Sequence, residues 1–403
     1  MDHYGRDLPA DLTRVIDGQL ASGKWHLERI PGDVTGLGRD LEVIRGPRPA
    51  RTMLTFAWHG DRDTFCPPLW WDLAIGAGAC GYGCRTCFLM LTHRAFNDPL
   101  RHRLYDNVEA YYDVVKRWLV ATEWPHPNQK GQMVKLTAQT TLGLGIDRSD
   151  SLLYEGVTGH ARRLIPLFID PATNPQSRRL VLLTKSANVN RLFLPDGGEF
   201  AEAVSRATQA FRAPTDRIPH VSLAFSLNPD PIADLWEGKW PDTGRRITPQ
   251  IDRRLAAARL ARTLGFEVRW RLDPILPVAG WQTLYRDWLA EAVDRFEAQP
   301  ATITLGTYRR KNDQLDLWRA KWGLPAPEYE PGELVEDGTH WHLPTAARAE
   351  IYRTVSEMIQ QVWTERGRPA PVVALCKESH ALRRAVGLNN ASCACLETAT
   401  GSK

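Results

Sequence analysis

The chain has no apolar run near the roughly 20 residues that cross a bilayer, so no transmembrane helix is expected. Its opening, MDHYGRDLPADL, is polar and carries no apolar segment of the secretory kind. A cytoplasmic location is the expectation, the host cytoplasm if the chain is phage-encoded. No solenoid-type repeat is visible. Excess charge of one sign is slight: 51 Lys and Arg against 47 Asp and Glu leave +4. That balance permits a nucleic-acid partner without requiring one. Cysteine is sparse, seven residues in 403, and absent between Cys87 and Cys376. Cytosolic thiols stay reduced, which excludes a disulfide framework. The grouping of Cys66, Cys80, Cys84 and Cys87, then Cys376, Cys393 and Cys395, points instead to metal or redox chemistry.

What is present is an ordinary enzyme composition, 43% hydrophobic and 24% charged, long enough for a large core. The 15 tryptophans read mainly as core filling, with a few as stacking platforms for bases the sharper alternative. Residues 1–65 are rich in Gly, Pro and charge and read as an N-terminal extension. From about residue 69 a strand-then-helix pattern repeats. Strands are expected at 69–76, 132–139, 179–185, 221–227, 266–275 and 301–306. Helices are expected at 107–123, 160–168, 248–264, 284–296 and 346–366. Alternation of this kind argues for parallel βαβ units. Six units make a partial (β/α)6 barrel, an α/β fold with extensions at both ends, and its chemistry belongs at the carboxyl ends of the strands. The expected divisions are 1–65, 66–310 and 311–403, the last a C-terminal segment with a Cys-containing tail.

The loop after the first strand reads Cys80-Gly81-Tyr82-Gly83-Cys84-Arg85-Thr86-Cys87. The spacing is C-x3-C-x2-C. Three thiolates on one short loop can hold three irons of a [4Fe–4S] cube and leave the fourth open. An open iron can chelate the amino and carboxylate groups of S-adenosylmethionine and deliver an electron to its sulfonium. Glycines between the ligands let the backbone wrap closely. Zinc is the competing reading; it wants four ligands and usually C-x2-C pairs, with His93 an awkward fourth.

With CGYGCRTCFLM in view, the sequence resembles the radical S-adenosylmethionine superfamily, and within it the spore photoproduct lyase family. TAQTTLGLGIDRSD resembles the segment after that family's second strand. RLVLLTKSANV resembles its third strand, AFSLN its fourth, and RRLAAARLARTLGFEVRWRLDPI its long helix and fifth strand. The resemblance runs in order over about residues 70–310. It implies that Cys80, Cys84 and Cys87 ligate the cluster and that Lys185 and Ser226 contact S-adenosylmethionine. Thr141 would stand near the cofactor and Asn228 on the same polar rim. It also implies DNA containing a modified thymine as partner, with the target base leaving the stack. A flavodoxin or ferredoxin would supply electrons. Arg309, Arg310 and Lys311 could meet phosphates, or form an ordinary charged loop.

The resemblance breaks where the family ends its reaction. The repair enzymes carry a cysteine after the second strand that quenches the thymine radical; aligned on Gly145-Ile146-Asp147, that place holds Gln139. Tyrosines flanking the third cluster cysteine are replaced by Thr86 and Phe88. An isomerase needs no separate donor, because the product radical can recover its hydrogen from 5′-deoxyadenosine. The expectation is therefore an isomerase that rearranges or modifies a 5-substituted thymine, as in hypermodified phage DNA. One alternative is a repair lyase whose thiol donor has moved, with a tail cysteine in that role. Cys376, Cys393 and Cys395, with Cys66, could instead hold an auxiliary cluster. A third reading is a non-catalytic, metal-bound nucleic-acid module.

Overall fold

The computed structural model describes residues 17–18, 20–56, 70–77, 80–84, 103–127, 129–146, 149–193, 218–240, 243–311, 332–337 and 340–388. Its centre is an eight-stranded sheet. The strands are β1 (Leu54–Phe56), β2 (Trp70–Leu73), β3 (Thr141–Leu144), β4 (Arg179–Thr184), β5 (Val221–Ser226), β6 (Glu267–Ile275), β7 (Thr302–Thr307) and β8 (Val372–Leu375). They lie side by side in chain order from β1 to β8. Strands β2 to β8 are parallel, and β1 runs antiparallel at one edge. The sheet is open, not a closed barrel, as the partial-barrel expectation required.

Parallel strands need crossovers, and helices supply most of them. These are α1 (Val108–Val120), α2 (His160–Ile169), α3 (Asp230–Glu237), α4 (Ile251–Thr263), α5 (Trp281–Phe296) and α6 (Thr345–Glu365). Side chains alternate along each strand, so one set faces the helices and the other the concave side. Leu142, Leu144, Leu180, Leu182, Val221, Leu223, Phe225, Ile303 and Leu305 join the helices in one core. The largest side chains sit here: Trp270 packs on Trp288 of α5 and Trp363 of α6, with ring centroids 5.8 and 6.1 Å away. The opposite set is largely polar: Asp72, Ser222, Arg269, Arg271, Asp273, Thr304 and Cys376. The concave side of the open sheet carries these polar groups beside a small apolar cluster of Trp70, Ile146 and Val181.

The second core strand is not where the periodicity puts it. Residues 133–135 pair antiparallel with 123–125 in a separate two-stranded hairpin, half exposed. The core strand is Thr141–Leu144, flanked by β2 and β4. Its Gly143 fits because a Cβ there would come within 2.9 Å of Trp70 Nε1 and 3.2 Å of Asp72 Oδ1. A four-residue strand with a glycine at its centre carries little periodic signal. The alternating stretch from Gln132 to Gln139 carries more, and it covers an outer hairpin.

Further strands pack around the sheet. Residues 26–30, 41–46, 103–105 and 76–77 make a four-stranded sheet. Residues 309–311, 335–337 and 340–342 make a three-stranded antiparallel one just past β7.

Candidate active site

The first functional segment leaves β2, pairs briefly at Gly76–Ala77 with Arg103–Tyr105, and turns at Cys80–Gly83. The Gly83 amide donates to the Cys80 carbonyl at 2.8 Å, and Gly83 adopts φ +60°. A side chain at Gly81 would overlap the Tyr154 hydroxyl and come within 2.8 Å of Leu41 Cδ1. Glycine is therefore dictated there by close approach. Tyr82 is 2% exposed. It drives the loop down onto the mouth of the sheet, its hydroxyl facing Ser186 and Asp150. Burial pushes the Tyr82 hydroxyl well above its ordinary pKa, so it stays protonated. The two cysteines either side remain half-buried and form no disulfide. Cys87 lies outside the described residues, as do Cys66, Thr86, Phe88, Cys393 and Cys395.

Asp150 fixes the neighbouring strand ends. Its carboxylate accepts from the Thr184 hydroxyl at 2.6 Å, the Lys185 amide at 2.6 Å, and the Leu152 and Leu153 amides at 3.0 Å. Lys185 and Ser226 meet: the ammonium donates to Ser226 Oγ at 2.9 Å and to Glu237 Oε1 at 2.6 Å. Glu237 ends α3 and is buried. It also accepts from Arg254 of α4, at 2.9 Å through Nη1, and from Thr248. Arg254 is wholly buried and donates further to the Ser226 carbonyl at 3.0 Å. Burial would raise the Glu237 carboxyl, yet Arg254 and Lys185 outweigh it and hold it well below the usual carboxylate range. Tyr82 and Cys84 both lie within electrostatic reach of the Arg254 guanidinium. The cysteine loop thus sits on a charged, preorganised floor.

Sequence reasoning names Lys185 and Ser226 but not Glu237, Thr248 or Arg254. A signal existed for one of them. Arg254 shares the buried helical stripe of Ile251, Leu255 and Ala258, and an arginine in such a stripe demands a buried anion. Asn228 lies nearby but is committed to structure: its Nδ2 donates to the Pro274 carbonyl at 3.1 Å, and its Oδ1 accepts from Tyr285 at 2.8 Å. Thr141 and Gln139 stand at the other end. Thr141 begins β3 opposite Trp70 and Arg179, which begin their own strands. Gln139 precedes it and is exposed. Both are at the amino edge of the sheet, away from the cysteine loop. Segment 145–150 comes directly after the second core strand, and it contains no cysteine either.

A second polar cluster lies one strand along. Arg271 pairs in register with Ser226. Its guanidinium contacts Asp273 Oδ2 at 2.9 Å and Cys376 Sγ at 2.6 Å. Arg309 reaches the same carboxylate oxygen at 2.7 Å and the same sulfur at 3.5 Å. Cys376 is therefore flanked by guanidinium groups, a poor setting for an auxiliary metal site. Among the described residues no three His, Cys, Asp or Glu side chains are placed to hold a metal ion. Arg310 and Lys311 form the adjoining strand. Among the described residues no helix is long and apolar enough to cross a membrane.

No protein-family model matches the chain, and no curated protein matches it in sequence. Solved structures do. Spore photoproduct lyase complexed with dinucleoside spore photoproduct superposes with TM-score 0.54, at 15% identity over 82% of this chain and 80% of that one. A mutant of that enzyme with bound AdoMet and the dinucleoside gives 0.52, at 16% identity over 76% and 75%. A tyrosine-to-phenylalanine mutant gives 0.55, at 16% identity over 82% and 80%. The chain has the fold of spore photoproduct lyase. Within that lyase fold, the Cys80–Cys84 loop and the Lys185 network occupy the carboxyl ends of the parallel strands.

Proposed function

We propose that this protein is a radical S-adenosylmethionine enzyme acting on a thymine-derived base in DNA. One arrangement carries the reading: two cysteines of a C-x3-C-x2-C loop, presented over Lys185, Ser226, Glu237 and Arg254 at the mouth of a parallel sheet. The residues fit a cluster in kind. Cys80 and Cys84 are partly buried on a loop whose intervening Tyr82 is buried, so the backbone that carries the two thiols is pinned. Cys87 would complete the three ligands. When bound, such a cluster supplies the electron that cleaves S-adenosylmethionine to methionine and a 5′-deoxyadenosyl radical.

The chain's own residues supply binding and orientation. Lys185 carries a positive charge held in place by Glu237, suited to a carboxylate or a ribose hydroxyl of the cofactor. Ser226 offers a hydroxyl from the neighbouring strand. Buried Arg254 fixes Glu237 and, through the Ser226 carbonyl, the end of β5, so both groups are held before any ligand arrives. Solved structures with this fold hold dinucleoside spore photoproduct, which supports a thymine-derived target. Electrons would come from a flavodoxin or ferredoxin.

The reaction we favour is rearrangement or modification of a 5-substituted thymine rather than photoproduct cleavage. The support is the absence of a thiol in segment 145–150, directly after the second core strand. The test is anaerobic turnover with DNA carrying a 5-substituted thymine. Rearrangement regenerates the cofactor, so 5′-deoxyadenosine stays well below product. One 5′-deoxyadenosine released per product would count against it. A specific observation keeps the lyase alternative in play: Cys376 reaches the concave mouth from β8, and turnover of dinucleoside spore photoproduct would favour that alternative.

A further inference from the structure

The cysteine loop does not rest on the main core. Cys80, Cys84 and the buried Tyr82 belong with a second, smaller core. Ile30, Leu41 and Val43 of the N-terminal strands supply one part of it. Leu104 of the strand 103–105 supplies another, and Trp240 and Ile247, between α3 and α4, a third. None of these six is more than 4% exposed. Leu41 meets the loop itself: a Cβ at Gly81 would lie 2.8 Å from its Cδ1.

This second core is fixed from several directions. The N-terminal strands and the strand that enters the loop share one sheet: Ile44 pairs with Arg103, and Arg103 with Ala77. The turn at 32–37 is seated on the segment that follows Lys185. There Asn188 Nδ2 donates to the Thr35 carbonyl at 2.8 Å. Gly36, at φ +74°, makes the close approach possible, since a Cβ would come within 2.9 Å of Asn188 Oδ1. The Arg39 guanidinium covers the Trp240 ring, 4.2 Å from its centroid. The N-terminal strands are thus built into the cysteine site.

An iron–sulfur group held by three thiolates is anionic, and its reduction adds a further negative charge. Apolar surroundings disfavour that added charge, whereas water or a hydrogen-bond donor favours it. Cleavage of a sulfonium needs a strongly reducing electron, so a low potential serves the reaction. We propose that the N-terminal strands, through Leu41 and its neighbours, keep the potential of the Cys80–Cys84–Cys87 site low by shielding the Cys80–Cys84 side from water. This rests on the radical reading of the loop. Leu41 touches the loop and not the reacting atoms, so its part is to position and shield. Arg254, within electrostatic reach of Cys84, acts in the opposite sense, and it is unchanged in every variant below.

The test is an anaerobic redox titration of the reconstituted full chain, read by the electron paramagnetic resonance of the reduced cluster. Leu41→Asn puts a polar group of similar size beside the loop. It should favour the reduced state about tenfold, a shift of about 59 mV to more positive potential for one electron. Leu41→Met, which stays apolar, should keep the wild-type potential. So should Leu27→Asn, on the same sheet but 44% exposed. If Leu41→Asn takes up no iron, Val43→Thr decides, because it keeps the side chain's shape and adds one hydroxyl; a smaller shift of the same sign is expected. An iron-loaded Leu41→Asn, or failing that Val43→Thr, at the wild-type potential overturns the proposal. An equal shift in Leu27→Asn or Leu41→Met does the same. Where wild type holds iron and cleaves S-adenosylmethionine but the potentials do not move, this inference alone falls. Where wild type takes up no cluster, the radical reading falls with it.

Discussion

Glu237 is the hinge of the candidate site, and Glu237→Gln measures it. In the native chain its carboxylate accepts from Arg254, Lys185 and Thr248. The substitution removes the negative charge and leaves Arg254 buried with no counter-ion. Breaking a buried pair from one side costs about 3–5 kcal/mol. Glutamine keeps one acceptor oxygen, so the lower end, about 3 kcal/mol, applies. Lys185 adds little to this figure, since its side chain keeps 23% of its surface and solvent can take over. Urea unfolding followed by the tryptophan fluorescence should show that loss at pH 7 with an unchanged slope. The pH dependence gives a second check. The carboxyl is depressed in the fold from an ordinary value of 4.5. Its contribution is fully present above 4.5 and is lost as pH falls below that towards the folded value. The gap between wild type and variant should therefore narrow below pH 4.5. A variant within about 1 kcal/mol of wild type at pH 7 would refute the assignment of this network as a buried, charge-compensated floor.

Other substitutions test the surroundings. Gly81→Ala places a methyl group against the Tyr154 hydroxyl, and should cost about 1–3 kcal/mol and lower iron retention; Tyr154→Phe in the same chain should recover part of both. His160 is buried, its Nε2 against the Tyr105 carbonyl at 2.8 Å, and burial lowers its pKa from 6.5 to about 4. Its neutral form therefore contributes stability above pH 6.5 that is lost as pH falls towards 4, roughly 3 kcal/mol in all. His160→Gln should flatten that window in acid titration of stability; an unchanged slope would contradict the burial argument. Gln139→Ala, exposed at the amino edge of the sheet, should leave activity unaltered and stability within about 0.5 kcal/mol. A large loss of activity would mean that Gln139 reaches the reaction after all.

Much of this organisation was legible in the sequence. RLVLLT and VSLAFS are dense apolar runs bounded by polar residues, and both are central strands. The helix around residues 251–263 ends at Leu264 and Gly265, where the break was expected. The strand at Thr141–Leu144 was not legible, because Gly143 dilutes its apolar signal and an outer hairpin mimics it. That slip carried Gln139 and Thr141 to the wrong end of the sheet. Pairing across long separations was also hidden. Nothing local in the sequence joins Glu237 to Arg254 and Lys185, or Cys376 to Arg271, 105 residues away; the packing of helices α3 and α4 at the end of β4 brings the first set together, and the order of the parallel strands brings the second.

The central claim is that the loop from Cys80 to Cys87 holds a redox-active cluster over the Lys185 network. Anaerobic reconstitution with iron and sulfide, followed by dithionite and S-adenosylmethionine, tests it in one measurement. Wild type should bind about four irons per chain and release 5′-deoxyadenosine on reduction. Cys84→Ala, folded by circular dichroism, should lose both. Iron content and cofactor cleavage that survive Cys84→Ala would contradict the account.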